Sequence, residues 1–255
     1  MTTAPVLELS RVVVRYGPVR ALSGVDLTVR PGERIALIGP SGAGKSTVIR
    51  LLNGTALATE GSVRVLDVDF AGASSRAVRN VQRRLGTIHQ QFDLVDQLRV
   101  VHNVNAGRLG SWSLWKSALS LVLPRDVDRA RHALERVGIG DKLYERTATL
   151  SGGEQQRVAI ARVLVQRPAA ILADEPIASL DPVRGREVIN LLHDISIETG
   201  STLLASLHDV EVALDRFERV IGLRSGMVAF DSSPRELSRD QLDELYALER
   251  RQGSA

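Results

Sequence analysis

A glycine-rich segment carries residue types and spacing suited to holding the phosphate groups of a nucleotide. Residues 39–46 read GPSGAGKS and satisfy the pattern G-x-x-x-x-G-K-[ST], between a strand-like and a helix-like segment. Glycines let the backbone approach phosphate oxygens closely, and the N–H groups at the start of the next helix face the anion. The pattern predicts that Lys45 reaches the β- and γ-phosphates of ATP and that the Ser46 hydroxyl is a ligand of Mg²⁺. The predicted nucleotide-binding residues of this segment are Gly39, Pro40, Ser41, Gly42, Ala43, Gly44, Lys45, Ser46 and Thr47.

Two adjacent carboxylates form a second candidate group. Asp174 and Glu175 directly follow the apolar run AILA at 170–173, which is typical of a buried strand. An acidic residue at such a strand end holds the Mg²⁺ shell in phosphate-loop enzymes, and this predicts the same role for Asp174. Glu175 is placed to polarise the attacking water as a general base. Acidic residues after a strand also cap helices, but the accompanying phosphate loop favours the catalytic interpretation.

The elements around these groups alternate between strand and helix patterns. A buried-strand pattern over 34–38 leads into the glycine-rich segment, and a helix pattern over 46–53 follows it. A helical pattern extends from about 93 to 165, and a surface helix is expected after Pro234. Other strands are predicted over 6–14, 25–29, 61–68, 170–173, 202–207 and 220–223. This alternation predicts a mostly parallel α/β core, with the early strands as an antiparallel edge and the helical stretch as an insertion.

The composition is that of a folded protein close to charge balance. Hydrophobic residues make up 44% and charged residues 25% of the 255 positions, which argues against disorder. The net charge of +3 argues against a chain built to coat nucleic acid, so no nucleic-acid partner is expected. Because there is no cysteine, neither a disulfide framework nor a thiolate metal site is expected. We see no secretory leader and no apolar run long enough to cross a membrane, so any membrane-spanning helices must come from a partner.

The most specific signal is the segment LSGGEQ at 150–155. Ser151 and Glu154 form a capping box, which opens a helix expected to continue until Pro168. A cap does not explain Gly152-Gly153, because glycines lower helix stability. A helix N-terminus without side chains is, however, suited to binding an anion. The segment resembles the signature sequence of ABC ATPases, and the resemblance extends over nearly the whole chain.

The resemblance implies a dimer with shared nucleotide sites. In that family the signature helix points at the γ-phosphate held by a second copy, so that two ATP molecules lie between two chains. The residues that match this contact are Ser151, Gly152 and Gly153. Asp181, in Ser179-Leu180-Asp181, matches the loop that crosses the dimer interface and is assigned to the nucleotide site.

Three further residues match positions with family roles. Tyr16 matches the aromatic residue that stacks on adenine, although a strand-edge tyrosine is the alternative. Gln90 matches the glutamine that joins the two lobes, senses Mg²⁺ and water, and faces the permease; an exposed loop residue is the alternative. His208, after the strand at 202–207, matches the histidine that contacts γ-phosphate. The expected catalytic residues are therefore Glu175, His208, Gln90 and Lys45, and the expected Mg²⁺ ligands are Ser46, Gln90 and Asp174.

The resemblance also implies a fold and a division of the chain. The expected fold is a P-loop NTPase (RecA-like) core with an antiparallel β edge and an inserted helical subdomain. The expected boundaries are 1–92 and 166–230 for the core, 93–165 for the helical signature subdomain, and 231–255 for a C-terminal helical tail.

The implied function is ATP hydrolysis that energises an importer. The segments at 90–95 and 105–110 and the turn at 223–226 resemble the phosphonate-importer branch, so phosphonate or a related phosphorus oxyanion is the expected solute. Expected partners are a second copy, transmembrane permease subunits and, indirectly, an extracytoplasmic solute-binding protein. The expected location is peripheral, at the cytoplasmic face of the inner membrane. Two alternatives remain: import of a polar amino acid or other small solute, and a soluble ABC-type accessory of phosphonate degradation.

A few features depart from the family pattern or allow two interpretations. His89 stands where the family usually has an apolar or aromatic residue, and Ile177 replaces a common threonine or valine. Neither position carries a catalytic role, although His89 bears on the lobe hinge. Trp112 and Trp115, within the apolar stretch 104–124, either dock a permease helix or fill the core of the helical lobe.

Overall fold

The structure is a computed structural model that describes residues 4–110, 126–178 and 180–252. The strands are β1 (Leu7–Tyr16), β2 (Val19–Val29), β3 (Arg34–Ile38), β4 (Glu60–Val65), β5 (Val68–Asp69), β6 (Leu85–Ile88), β7 (Ala170–Asp174), β8 (Thr202–Leu207), β9 (Arg219–Arg224) and β10 (Met227–Ser232). The described helices are α1 (Lys45–Leu52), α2 (Ser75–Gln82), α3 (Val100–Leu109), α4 (Val127–Arg136), α5 (Gly152–Gln166), α6 (Pro182–Thr199), α7 (Val210–Arg216) and α8 (Arg239–Gln252). Short 3-10 turns cover Gly140–Lys142 and Thr147–Thr149.

The strands form two sheets of different character. A six-stranded sheet has the order β10-β9-β3-β8-β7-β6, and all of its pairs are parallel except β10 with β9. A four-stranded antiparallel sheet has the order β2-β1-β4-β5. The α/β fold class with an antiparallel edge, expected from the sequence, is therefore confirmed.

The register of the parallel sheet aligns the carboxyl ends of its central strands. Ile38 of β3 pairs with Leu207 of β8, and Ala173 of β7 pairs with both Ala205 of β8 and Ile88 of β6. The loops that follow these four strands therefore leave from one edge of the sheet. In open parallel sheets this edge is where ligands bind.

Alternating side chains of the parallel strands enter two separate hydrophobic cores. On β3, Ala36 and Ile38 face a core with α3 to α7, whereas Ile35 and Leu37 face a core with α1 and the antiparallel sheet. This follows from the two-residue period of a strand. Because the signature helix α5 belongs to the first core, its packing is continuous with that of the parallel sheet.

Some predicted elements have different bounds in the structure. The prediction of one strand over 61–68 is wrong, because Leu66 and Asp67 adopt left-handed φ values of 49° and 67° and form a tight turn between β4 and β5. β6, β10 and the helices α2, α6 and α7 were not predicted individually.

Trp112, Trp115 and Ser179 lie outside the described residues. Within the described residues, no helix combines the length and apolar character needed to cross a membrane.

Candidate functional site

The phosphate loop between β3 and α1 requires glycine at two positions. Gly39 has φ 147°, and a Cβ there would lie 2.0 Å from the carbonyl oxygen of Leu223. Gly44 has φ 107°, and a Cβ there would lie 2.6 Å from Leu22 Cδ2. A larger residue would therefore push the loop away from β9 and β2.

The turn between β9 and β10 supports this loop from the side. The Gly226 amide donates to the Ala43 carbonyl at 3.1 Å, and the Gly226 carbonyl accepts from the Ser23 amide at 2.8 Å. A Cβ at Gly226 would lie 2.6 Å from the Ala21 carbonyl oxygen. Backbone contacts within the chain thus hold the loop between the two sheets, without any contribution from a nucleotide.

The Lys45 ammonium group lies inside the loop. Lys45 is 4% exposed, and its Nζ donates to the carbonyls of Gly39 at 2.7 Å and Pro40 at 3.2 Å. Gly44 precedes the helix and supplies no side-chain cap to its first amides. The loop therefore carries an ammonium and the uncapped first N–H groups of α1, the two kinds of donor that phosphate binding uses.

Asp174 is held by two hydroxyl groups at the edge of the sheet. Its Oδ1 accepts from Ser46 Oγ at 3.0 Å and from Ser206 Oγ at 2.9 Å. The structure therefore brings the predicted pair Ser46 and Asp174 together across 128 positions of sequence. Hydroxyl and carboxylate oxygens are the ligand types that Mg²⁺ prefers, so these two residues fit that ion.

Glu175 turns away from Asp174 and toward His208. Its φ is 49°, a left-handed value that a non-glycine residue adopts only when its surroundings impose it. The Glu175 amide donates to Ser206 Oγ at 2.8 Å, and His208 Nε2 donates to Glu175 Oε1 at 2.6 Å. Glu175 and His208 line a cavity of about 210 Å³ together with Asp181 and residues of α6 and α7.

Gln90 and Tyr16 lie at the margins of this group. Gln90 is exposed on the turn two residues after β6, at the same edge of the sheet as Asp174. Tyr16 ends β1 opposite Val19 and is 49% exposed. Among the described residues, no hydrogen bond joins either side chain to the group formed by Ser46, Asp174 and Glu175.

The signature segment begins α5 with the predicted capping box. Ser151 Oγ accepts from the Glu154 amide at 3.4 Å, and Glu154 Oε2 accepts from the Ser151 amide at 2.8 Å and from its hydroxyl at 2.7 Å. These hydrogen bonds from Ser151 hold the pKa of Glu154 below its ordinary value. A Cβ built on Gly152 or Gly153 would meet nothing within 4 Å in the part of the chain that the structure describes, so packing among those residues does not require either glycine.

The signature cap and the phosphate loop occupy different places in the chain. Ser151 and Gly153 line a cavity with Leu180 and Arg184, from the loop before α6 and from α6 itself. The phosphate loop instead packs against β9 and β2. The structure therefore does not bring these two anion-binding features into one cavity.

Two polar residues of the site were missed from sequence. Ser206 joins Asp174 to the Glu175 backbone, and Arg162 donates to the carbonyls of Phe92 and Asp93 just after Gln90. Burial lowers the pKa of Arg162. The sequence feature that could have pointed to Arg162 is the position of a charged residue inside the apolar run of α5. For Ser206 the only such feature is its place two residues before His208.

A family model described as ABC transporter matches residues 22–178, which contain both the phosphate loop and the signature cap. The chain belongs to the ABC transporter family. The expected family and fold are thereby confirmed, and the chain is an ABC-type ATP-binding domain.

Its relatives in the ABC transporter family include two phosphonate proteins. The protein named "Phosphonates import ATP-binding protein PhnC" of Anaeromyxobacter dehalogenans is 49% identical over 251 residues, which are 98% of this chain and 50% of that protein. This chain therefore spans about half the length of that relative. "Phosphonates import ATP-binding protein PhnC 1" of Pseudomonas aeruginosa is 49% identical over 91% of this chain and 87% of its own.

A solved ABC cassette shows the same fold as a dimer. The structure described as the dimeric post-hydrolysis state of the ATP-binding cassette MJ0796, bound to ADP and Pi, superposes with a TM-score of 0.77 at 30% identity. The match covers 91% of this chain and 100% of the cassette.

Proposed function

We propose that this chain hydrolyses ATP and thereby energises an importer for phosphonate or a related phosphorus oxyanion. The observation that carries the ATPase part is the hydrogen-bonded chain from Ser46 through Asp174 and Ser206 to Glu175 and His208. The solute rests on the names of the two phosphonate relatives, because this subunit has no residue assigned to contact the solute. The same names favour phosphonate over the amino-acid alternative.

The nucleotide would lie on the phosphate loop. Lys45 and the first amides of α1 would bind the β- and γ-phosphates, and Tyr16 would stack on adenine. Ser46 and Asp174 would hold Mg²⁺, with Gln90 completing its surroundings. When bound, Mg²⁺ supplies positive charge that offsets the charge of the phosphate oxygens.

Glu175 is the group we assign to the attacking water. The water oxygen attacks the γ-phosphorus while the bond to the ADP oxygen breaks, and Glu175 accepts a proton from the water. Ser206 accepts from the backbone amide of Glu175 and His208 donates to its carboxylate, so both the backbone and the side chain of Glu175 are held in place. His208 would also donate to the γ-phosphate once nucleotide is present. Positioning of this kind supplies much of the catalysis of phosphoryl transfer.

The second copy would complete each nucleotide site. The open space beside Gly152 and Gly153 supports this proposal, because among the described residues no atom occupies the positions where side chains would shield the start of the helix. The γ-phosphate on one chain would then meet the signature cap of its partner, and Asp181 would lie near the interface. The dimeric solved cassette supports the same arrangement.

The membrane partners follow from the same proposal. The turn with Gln90 would face transmembrane permease subunits, which would in turn take the solute from an extracytoplasmic binding protein. The chain would then be peripheral, at the cytoplasmic face of the inner membrane. We also propose the division into a core at 1–92 and 166–230, a helical subdomain at 93–165, and a tail at 231–255.

The ATPase proposal is tested with Glu175→Gln. The amide cannot accept the proton, so turnover should fall by about 100-fold or more while ATP affinity stays within about 3-fold. Steady-state phosphate release and equilibrium binding of ATP measure the two quantities. Glu135→Gln, which changes an exposed carboxylate on α4, is the matched control and should behave like wild type. Normal hydrolysis by Glu175→Gln would refute the assignment.

The solute is tested by growth of a deletion strain on phosphonate or inorganic phosphate as sole phosphorus source. Failure on phosphonate alone, rescued by wild type and not by Glu175→Gln, would support import. Uptake of labelled phosphonate by the deletion strain would instead indicate the degradative accessory. Unchanged growth on both sources, in a strain without a second importer, would contradict the solute and leave the ATPase proposal standing.

A further inference from the structure

A half-buried arginine of the signature helix binds the turn that follows Gln90. Arg162 lies in the last third of α5. Its guanidinium donates through Nη2 to the Phe92 carbonyl at 2.8 Å and through Nη1 to the Asp93 carbonyl at 2.7 Å. Both carbonyls therefore receive a charged donor at short distance. Charge-assisted bonds of this fork-like kind are strong and fix geometry as well as distance.

The turn that Arg162 binds has a strained backbone. Phe92 and Asp93 both have left-handed φ values, 58° and 47°, which non-glycine residues avoid. Two such residues in succession persist only where their surroundings impose the conformation. Within the turn itself, the Phe92 amide donates to His89 and the Asp93 amide to Gln91. Arg162 binds the carbonyls of these same two residues, so the arginine stabilises the strained form of the turn.

The arginine is itself held in place by close packing. A Cβ at Gly107 of α3 would lie 2.2 Å from the Arg162 carbonyl oxygen, so the two helix backbones touch at this residue. The Arg162 side chain is partly withdrawn from water, and this partial burial lowers its pKa below the ordinary arginine value. Its hydrogen bonds to the two backbone carbonyls offset part of the cost of that partial burial.

The same helix reaches the other parts of the proposed reaction. Its first turn carries the signature cap, 11 residues before Arg162, or about 16 Å along the axis at 1.5 Å per residue. Gln156, between the two, is buried and donates to the Pro176 carbonyl directly after Glu175. One rigid element therefore connects the signature cap, the loop after Glu175 and the turn after Gln90.

We propose that Arg162 is a positioning residue that joins the Gln90 turn to the signature helix, so that the two move as one unit when the nucleotide site closes. The inference rests on the proposed ATPase function and on the role proposed for Gln90. Arg162 does not touch the phosphate loop, so its contribution is to the placement of Gln90 and not to nucleotide affinity. A movement of either end of the helix is transmitted to Gln90 through two hydrogen bonds.

The test compares Arg162→Gln, Arg162→Lys and a control on the same helix. Arg162→Gln should lower kcat about 10-fold to 100-fold and leave KM for ATP within about 3-fold, because misplacement of a group that acts in the reaction reduces the chemical step. Arg162→Lys keeps the charge but cannot form the two parallel bonds, so it should recover only part of the loss. Gln166→Leu removes bonds from α5 to the carbonyl of Arg83 and to that of Leu85, the first residue of β6, and should leave kcat within about 2-fold.

A double-variant cycle separates positioning from general destabilisation. If Arg162 acts through Gln90, then Gln90→Ala should lower kcat in the wild type and cause little further loss in Arg162→Gln. Multiplicative losses in the double variant, or Gln90→Ala without effect in the wild type, would overturn the proposal. If Arg162→Gln does not fold, kcat is measured for the same cycle with Arg162→Lys in its place.

The outcomes also separate this inference from the proposed function. Wild-type kcat in both Arg162 variants, together with an inactive Glu175→Gln, would overturn the positioning role and leave the ATPase proposal intact. Normal hydrolysis by Glu175→Gln would refute the assignment of Glu175 as the general base, which belongs to the proposed function and not to the role of Arg162. A loss in Gln166→Leu equal to that in Arg162→Gln would show that any loosening of α5 suffices, and this too would overturn the proposal.

Discussion

At the scale of single residues, the site depends on one hydroxyl that bonds the side chain of one acidic residue and the backbone of the next. Ser206 Oγ donates to the Asp174 side chain and accepts from the Glu175 backbone amide. The left-handed conformation of Glu175 then sends its side chain to His208 while Asp174 remains with Ser46. Two neighbouring acids are thereby directed to different tasks, one beside the phosphate loop and one beside the histidine.

Ser206→Ala should reduce turnover more than ATP binding. The change removes a donor to Asp174 and an acceptor for the Glu175 amide, so both carboxylates lose part of their fixed direction. We expect kcat to fall about 10-fold, ATP affinity to change by less than about 3-fold, and the free energy of unfolding to fall by about 1–3 kcal/mol. Phosphate release, ATP titration and urea denaturation measure the three quantities.

Ser201→Ala is the matched control for that change. Its hydroxyl is also buried and donates to the Pro168 carbonyl at 2.6 Å, but it precedes β8 at the end away from the site. We expect a similar loss of stability with unchanged kcat. Equal turnover in the two variants would contradict the role given to Ser206.

The proximity of Ser46 and Asp174 could be predicted from sequence, whereas the role of Ser206 could not. The glycine-rich motif and the apolar strand at 170–173 each indicate a strand end, and parallel strands bring such ends to one edge. Ser206 lies in the run TLLASL, where a serine has no pattern that names its partner. Its contact depends on the β7–β8 register, which pairs it with Asp174 and which only the folded sheet defines.

At the scale of elements, glycines determine how closely the signature helix packs. A Cβ at Gly86 of β6 would lie 2.6 Å from Val163 Cγ1, and a Cβ at Gly107 of α3 would lie 2.2 Å from the Arg162 carbonyl. Both neighbours of α5 therefore approach it at positions without a side chain. Gly86 also explains why β6 was not predicted from the sequence. A four-residue strand that contains a glycine has little intrinsic strand propensity, so its conformation is determined by tertiary packing.

Gly107→Ala should destabilise the protein although alanine favours helices. The added methyl group has no room against the α5 backbone, and overpacking of this kind lowers the free energy of unfolding by about 1–3 kcal/mol. Gly185→Ala, within α6, has ordinary contact distances of 3.5 Å or more and should instead raise it by up to about 1 kcal/mol. Urea denaturation of the two variants tests the prediction, and equal shifts of the same sign would contradict it.

At the scale of the whole molecule, the two anion-binding helix ends lie in separate regions of one chain. α1 begins at the phosphate loop, against β9 and β2, whereas α5 begins at a surface where a Cβ added to Gly152 or Gly153 would meet no described atom within 4 Å. The first end is completed by its own chain. The second becomes useful only when another molecule covers it, and this is why the proposed function needs two copies.

Gly152→Leu should separate folding from assembly. The side chain has space within one chain, and leucine favours helix over glycine, so the melting temperature should not fall. The same side chain should block the approach of a partner's nucleotide and abolish the ATP-dependent dimer. Size-exclusion chromatography with ATP, in a Glu175→Gln background that retains nucleotide, measures assembly, and thermal denaturation measures folding.

Gly72→Leu, at another open glycine that precedes α2, provides the comparison for that experiment. It should retain the dimer. An ATP-dependent dimer that persists in Gly152→Leu would contradict the proposed contact between the signature cap and the second chain.

The separation of the phosphate loop from the signature cap has a consequence for inheritance. In the proposed dimer each site takes its loop from one chain and its cap from the other. A cell that carries one allele altered at Lys45 and another altered at Gly152 would therefore form mixed dimers with one wholly intact site and one doubly defective site. Two alleles that are each inactive alone would complement each other in the same cell. A single allele with both changes would instead form mixed dimers with wild-type chains in which each of the two sites has one altered half.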